Sequence, residues 1–204
     1  MQLRFAAEFT SEEYVRQRAW RRATLPRCPL HPGGGCGFAR HTTYARVEPP
    51  GTRIARYYCR KGHTTFSLLP DSLASRLSST LEEVERVASE VEQAEGSQEV
   101  VAEKLRPDIG RQGAVRWARR RVRGVHVALV TVLGLLPSLW AGCAPTVAAL
   151  REALGVKWVL PALRGLVARH LASLPPPLGF GPRPVPRKPP ARLLQHGVGT
   201  DPPE

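Results

Sequence analysis

Three of the four cysteines and three of the six histidines lie between residues 28 and 63, and this cluster constrains the fold more than any other feature of the chain. It opens with Cys28 and closes with Cys59 and His63. Zinc takes four ligands in a tetrahedron, mostly Cys thiolates and His nitrogens. Disulfides are the weaker alternative, because the thiols stand beside histidines and Glu8 interrupts any apolar segment of a secretory signal peptide. The cluster therefore predicts a zinc ribbon, in which two ligand pairs sit on turns joined by a β-hairpin.

Two pairs of residues have a spacing typical of ribbon ligands. Cys59 and His63 form a C-x3-H pair, and Cys28 and Cys36 form a wider C-x7-C pair across a turn rich in Pro and Gly. His31 is an alternative to Cys36, which is preferred because the step into the following Gly is typical of a ribbon knuckle. The predicted metal ligands are therefore Cys28, Cys36, Cys59 and His63. Four protein ligands leave no open position, so the Zn²⁺ is expected to be structural.

The segment between the two pairs alternates like two β-strands. Residues 38–47 are rich in Thr, Tyr and Val, residues 53–58 form a second extended run, and residues 49–51 read Pro-Pro-Gly as a turn. Residues 28–70 are therefore expected to form the ribbon domain. Residues 1–27 before it are expected to form a short basic helix.

Helical spacing of apolar residues dominates residues 71–174. Leucines and valines recur every three or four positions from 73 to 91, and the glutamates between them are expected on a solvated face. A short helix over 98–105 ends before Pro107, and a long helix starts near Arg111 and runs to about residue 135. A short helix and a turn before a helix with a basic first half is the layout of a helix-turn-helix.

The net charge of +13 is unevenly distributed. Residues 71–108 hold ten acidic and four basic side chains, whereas residues 109–172 hold ten basic side chains and one acidic one. Basic surfaces attract phosphate backbones, and arginine binds guanine or phosphate through its planar fork, so duplex DNA is the expected partner. The predicted contacts in the major groove are Arg116, Arg119, Arg120 and Arg123. The predicted contacts to phosphates are Arg40, Arg46, Arg53 and Arg56.

Residues 125–150 contain no charged side chain, which raises the alternative of a membrane-spanning helix. Gly134, Pro137 and Pro145 interrupt this run, so two buried helices joined by a loop are expected instead, without a membrane contact. Residues 175–204 are basic and rich in Pro, and they predict a disordered tail.

The stretch from Cys28 to Leu81 resembles a zinc-ribbon family of bacterial mobile elements. The residues that carry the resemblance are Cys28-Pro29, Cys36-Gly37, Arg56-Tyr57-Tyr58-Cys59 and Thr65-Phe66-Ser67-Leu68-Leu69-Pro70-Asp71. The family combines an N-terminal ribbon with a helix-turn-helix in small insertion-sequence proteins. The resemblance therefore implies binding of element DNA and help or restraint for a separate transposase. The family usually has C-x2-C before Thr-Phe, whereas here Gly62 stands in the place of the last Cys and His63 follows it.

Together these features predict an α+β chain with a small N-terminal β-hairpin zinc ribbon, an all-α helix-turn-helix-like domain and a disordered Pro-rich tail. The chain is expected to be a zinc-containing DNA-binding protein of the cytoplasm, associated with the nucleoid, that acts as an accessory or regulatory protein of a bacterial transposable element. A ribbon that contacts protein or RNA without DNA specificity is the alternative. No catalytic activity is expected, because metal-dependent phosphoryl transfer needs converging carboxylates and only three acids follow Asp108.

Overall fold

The computed structural model describes residues 1–7 and 9–181 of the chain. Within them the fold is mixed α+β, as predicted, with a four-stranded sheet and six α-helices. The strands are Gln2–Phe5 (β1), Ala39–Ala45 (β2), Arg53–Cys59 (β3) and Thr64–Pro70 (β4). The helices are Ser11–Arg16 (α1), Leu81–Glu92 (α2), Gln98–Leu105 (α3), Arg111–Leu135 (α4), Val147–Leu154 (α5) and Val159–Leu166 (α6).

The sheet has the strand order β1-β4-β3-β2, in which β1 runs parallel to β4 and the other neighbours are antiparallel. The predicted hairpin is formed by β2 and β3, and β4 extends it. β1 comes from the region that the sequence predicts to be helical, and it pairs Phe5 with Pro70. The Arg4 guanidinium donates to both carboxylate oxygens of Asp71 at 2.8 Å, which fixes the same edge. The sheet therefore includes residues outside the predicted ribbon of residues 28–70.

The N-terminal helix is shorter than predicted and is fixed to the sheet. Thr10 caps α1 in a capping box, in which its hydroxyl accepts from the Glu13 amide and the Glu13 carboxylate accepts from the Thr10 amide. α1 ends at Arg16, and left-handed backbone leads into a 3₁₀ turn. Tyr14 is fully buried, and its hydroxyl donates to the Arg53 carbonyl at 3.0 Å.

The acidic helix begins later than the sequence predicts. α2 starts after Thr80, whose hydroxyl accepts from the Glu83 amide as an N-cap. Residues 71–80 before it form an irregular loop, whose carbonyl groups need donors because no helix supplies them. Arg46 of the sheet supplies them, donating to the carbonyl oxygens of Ala74, Leu77 and Ser79.

The main hydrophobic core lies between α2, α4, α5 and α6. The residues that α4 contributes follow the predicted spacing: Val125, Ala128, Leu129 and Val132. α3 packs on the first half of α4 through a separate small cluster around Ala102 and Ala114. Within residues 1–7 and 9–181, no helix has the length and apolar character needed to cross a membrane.

Residues 175–181 belong to this core, although their composition predicts the start of a disordered tail. The Phe180 amide donates to the Leu171 carbonyl at 2.6 Å, which folds the segment back on the end of the helical region. Only glycine fits at Gly179, because a Cβ there would lie 2.3 Å from the Leu174 side chain. The rest of the predicted tail, residues 182–204, lies outside the described residues.

Arg164 of α6 joins this C-terminal segment to the loop after β4. Its side chain has no exposed surface, and burial lowers its pKa to about 10. Its guanidinium donates hydrogen bonds of 2.5–3.0 Å to the carbonyl oxygens of Asp71, Leu73, Pro177 and Leu178. Backbone carbonyl groups thus accept hydrogen bonds from a buried cation, and these bonds connect α6, the loop after β4 and the C-terminal segment.

Candidate metal centre and arginine groove

Four potential metal ligands converge at one end of the sheet. Cys28 and His31 lie in the loop before β2, Cys36 lies at the end of that loop, and Cys59 is the last residue of β3. Their ligand atoms all lie within 4.8 Å of one another. The three thiols are buried and form no disulfide. Three thiolates and one imidazole are a donor set found in structural metal sites.

Two distances in this cluster match those of a tetrahedral metal site. With Zn–S bonds near 2.3 Å and Zn–N bonds near 2.0–2.1 Å, a tetrahedron places sulfur and nitrogen ligands about 3.6 Å apart. Nδ1 of His31 lies 3.7 Å from Sγ of Cys28 and 3.4 Å from Sγ of Cys59. The residues present therefore fit a structural metal ion of this size.

The backbone around the ligands has the turns that such a cluster needs. Gly37, directly after Cys36, has a left-handed φ of 64°, and a Cβ there would lie 3.1 Å from the Arg60 side chain. On the opposite side, the Gly62 amide donates to Sγ of Cys59 at 3.3 Å. An N–H group aimed at sulfur stabilises a thiolate, which is the form that binds metal.

The pKa values of the Cys28 and Cys36 thiols are shifted in opposite directions. Burial alone raises the pKa of Cys28, but hydrogen bonds from His31, from the amides of Leu30 and His31 and from Cys59 outweigh it and lower the pKa to about 7. Burial, followed by the neighbouring thiols, raises the pKa of Cys36. A metal ion at this site would displace these protons, so metal binding and thiol ionisation are coupled.

The structure places His31 inside the cluster and His63 outside it. The sequence spacing predicts His63 as the fourth ligand and treats His31 as a substitute for Cys36, whereas the structure brings His31 and Cys36 to the site together. His63 has a left-handed φ of 44°, and its Nδ1 lies 3.4 Å from the Tyr58 hydroxyl. Gly62 is the residue of this turn that faces the thiols, so the side chain after it points elsewhere.

The Cys/His cluster of Cys28, His31, Cys36 and Cys59 is continuous with the hydrophobic core of the sheet. The three cysteines pack with apolar residues of β3 and β4: Ala55, Tyr57, Phe66 and Leu68. Phe38 stacks on Tyr57 with ring centroids 5.4 Å apart. An ion held here would cross-link the loop of residues 28–36 to β3, where few apolar side chains are available to hold that loop.

A second candidate site is a cavity of about 610 Å³ between the first half of α4, residues 76–77 and residues 175–177. Its lining contains five arginines and no carboxylate, and we call it the arginine groove. The arginines are Arg76, Arg116, Arg119, Arg120 and Arg123. The four from α4 are exposed and form no ion pair with any other described residue. The structure thus gathers the four arginines that the sequence assigns to the major groove.

Two of the arginines that the sequence assigns to phosphates donate hydrogen bonds to backbone carbonyl groups of this chain. Arg46 donates to the carbonyl groups of the loop of residues 71–80, and burial lowers its pKa. Its role is structural, because it is a donor to the carbonyl groups of Ala74 and Leu77; the Ser79 carbonyl also accepts from the Ala74 amide at 3.0 Å. Arg40 donates to the carbonyl oxygens of Trp20 and Arg21 at 2.6 and 2.9 Å, which links β2 to the 3₁₀ turn after α1.

The other two lie on the surface of the sheet. Arg53 is exposed, and its Nε donates to the Thr43 hydroxyl at 2.9 Å. Arg56 lies with its guanidinium 5.4 Å from the centre of the Tyr44 ring. Neither lines the arginine groove, so the structure does not bring the two predicted sets of arginines together.

Comparison with known proteins gives no relative: no family model matches the chain, and no curated protein or solved structure is similar to it. The resemblance to mobile-element ribbons and the helix-turn-helix layout therefore stay predictions from the sequence. The two features of the structure that bear on function are the Cys/His cluster and the arginine groove.

Proposed function

We propose that this chain is a zinc-containing DNA-binding protein whose arginine groove contacts the phosphate backbone. The observation that carries the proposal is the groove itself, with five arginines in its lining and no carboxylate. Each guanidinium can hold a phosphate through two parallel N–H···O bonds. Releasing counterions from the phosphates supplies much of the binding free energy of such a surface.

Zn²⁺ is the proposed metal, because thiolate and imidazole donors in a tetrahedron favour it. Cys28, His31, Cys36 and Cys59 would hold the ion and leave it no open position. Its contribution would be folding free energy rather than chemistry on a substrate. The sheet that it stabilises supports the groove, since Arg46 holds the carbonyl group of Leu77 beside Arg76.

Service to a transposable element, as an accessory or regulatory protein, is the finer part of the proposal. It rests on the ribbon resemblance alone. Binding of RNA or of a protein through the same ribbon, without DNA specificity, is the alternative that the experiment has to separate.

Titration of a labelled duplex of about 20 base pairs at several salt concentrations tests the proposal, with zinc determined on the same sample. The logarithm of the binding constant should fall linearly with that of the salt concentration, by about 0.9 per phosphate neutralised. The double variant Arg116→Ala/Arg120→Ala should reduce this slope by about two.

The matched control is Lys157→Ala/Arg169→Ala, which removes the same charge from exposed positions outside the groove. It should keep the slope of the unmodified protein. If the slope fell equally in the two double variants, binding would depend on net charge alone, and the assignment of the phosphate contacts to the groove would be wrong. Binding of RNA but not of a duplex of the same length would favour the alternative function.

A further inference from the structure

The lining of the arginine groove is only half cationic. The remaining residues are Leu77, Gly124, Val127 and residues 175–177, which are all proline. Phosphates alone would leave this apolar half without a partner. The cavity volume of about 610 Å³ falls within the range of about 300–1,000 Å³ found for small-ligand sites.

The apolar half is held in place from behind. The prolines pack on α4 at Gly124, where an ideal Cβ would make an ordinary van der Waals contact of 3.5 Å with Cδ of Pro177. The Pro177 carbonyl accepts from the Ser75 amide at 2.9 Å and from the buried Arg164 guanidinium at 2.8 Å. A concavity fixed by such bonds loses little conformational entropy when a ligand enters.

Arg76 enters the groove from a strained backbone position. Its φ of 55° lies in the left-handed region, which glycine adopts without strain and arginine does not. Strained residues of this kind cluster at ligand sites, where the side chain is needed despite its backbone. Arg76 lines the groove together with the four arginines of α4.

We infer that the arginine groove holds one unpaired nucleotide of a DNA strand, with its phosphate on the guanidinium groups and its base against the apolar half. This inference rests on the proposed function and narrows its substrate class. Within a duplex, neighbouring pairs cover both faces of every internal base, so only phosphates could enter the groove there. An unpaired nucleotide presents a phosphate and a free base face together, which matches both halves of the lining.

Three labelled DNAs of equal strand length test the inference: a blunt duplex, the same duplex with a short unpaired extension, and a single strand. The extended duplex and the single strand should bind about tenfold more tightly than the blunt duplex, because contact of one base face with the apolar half removes roughly 60 Å² of apolar surface from water. Val127→Gln, which makes the apolar half polar, should reduce the difference to less than about threefold.

The matched control is Val130→Gln, since Val130 is exposed on the same helix and does not line the groove. It should keep the full preference for unpaired DNA. Equal affinities for all three DNAs, with the salt dependence intact, would overturn the inference and leave the proposed function standing. Absence of binding to every DNA would overturn both.

Arg76→Gly provides a second, independent variant. Glycine adopts the left-handed conformation, so thermal unfolding should show a folded protein. The preference for unpaired DNA should fall, because the variant removes one of the guanidinium groups that hold the phosphate. A folded Arg76→Gly variant with unchanged affinity for all three DNAs would contradict the assignment of the phosphate to this groove.

Discussion

In the zinc-ribbon family that the sequence resembles, a fourth cysteine would stand at position 62; in this structure the position holds Gly62, and the His31 ring lies beside it. An ideal Cβ on Gly62 would lie 3.4 Å from Sγ of Cys59 and 3.5 Å from Cε1 of His31. A side chain at position 62 and the His31 imidazole would therefore compete for the same corner of the tetrahedron. The fourth potential ligand in this structure therefore comes from the loop before β2 and not from the turn after β3.

Replacing His31 should therefore weaken metal binding far more than replacing His63. His31→Ala should lower the affinity for Zn²⁺ by more than about 100-fold, because even residues behind the direct ligands contribute about 10–100-fold. His63→Asn should leave the affinity unchanged, since asparagine tolerates the left-handed backbone at that position. Competition with a chromophoric chelator measures both. The opposite order of the two losses would restore His63 as the ligand.

A cysteine at position 62 should rescue the loss of His31. In His31→Ala/Gly62→Cys the new thiol can take the vacated corner, provided that the exposed Leu30 side chain, 2.8 Å from the ideal Cβ, rotates away. Zinc affinity should recover most of what His31→Ala loses. With Co²⁺ in place of Zn²⁺, the sulfur-to-metal charge-transfer absorption should increase, because four thiolates replace three. A double variant that binds no better than His31→Ala would show that position 62 does not reach the ion.

The three cysteines of the cluster could be predicted from the sequence, but the histidine that lies beside them could not. Residue spacing measures separation along the chain, and both His31 and His63 stand a few residues from a cysteine. The direction of each side chain depends on turns. Gly34 and Gly35 turn the first loop with left-handed φ angles, and the turn after Cys59 presents Gly62 to the cluster.

The acidic face of α2 is only partly solvated: Glu82 is exposed, as the sequence predicts, whereas two other glutamates bind to neighbouring helices. Glu85 has no exposed surface, and its carboxylate accepts from the Leu160 amide at 2.8 Å and from Arg151 at 2.9 Å. Glu92 accepts from the Val147 amide at 3.1 Å. Each carboxylate thus lies at the N-terminus of another helix, where backbone N–H groups and the helix dipole favour an anion. The apolar spacing of α2 could not show this, because the partner amides lie far along the chain.

Arg164 makes α6 the element that holds the C-terminal segment and the loop after β4 together. Arg164→Met should lower the free energy of unfolding by about 3 kcal/mol or more, because several buried carbonyl groups lose their donor at once. Urea denaturation measures the change at the midpoint. Arg169→Met, at an exposed position, is the matched control and should change stability by less than about 0.5 kcal/mol. A loss below about 1 kcal/mol for Arg164→Met would mean that these carbonyl groups find other donors.

The sequence predicts the helices that apolar spacing and capping residues determine, and it misses the segments whose structure depends on contacts with residues far along the chain. The helices α3 and α4 lie where the spacing and the Ser97 cap place them. β1 was missed, because its four residues gain strand structure only by pairing with β4. Residues 175–181 join the core for a similar reason, since Arg164 and Ser75 donate hydrogen bonds to them and the Leu174 carbonyl accepts one from them.

Contacts between the sheet and the loop of residues 71–80 connect the Cys/His cluster to the arginine groove. Arg4 pairs with Asp71, and Arg46 donates to carbonyl groups along the loop. Leu73 packs in a cluster with Ile54 and Leu69 of the sheet. The same loop carries Arg76 and Leu77 into the groove, so the position of one groove wall depends on a folded sheet.

Removing the metal should therefore weaken DNA binding while leaving most of the helical structure. A structural Zn²⁺ contributes about 10–16 kcal/mol, as much as the whole stability of about 5–15 kcal/mol of a typical domain, so the sheet should not stay folded without it. The core between α2, α4, α5 and α6 contains no metal ligand. After chelation the helical circular dichroism should persist, DNA affinity should fall at least about tenfold, and Zn²⁺ should restore it. Unchanged affinity in the metal-free protein would show that the groove keeps its shape without the sheet, and the proposed coupling between the two sites would be wrong.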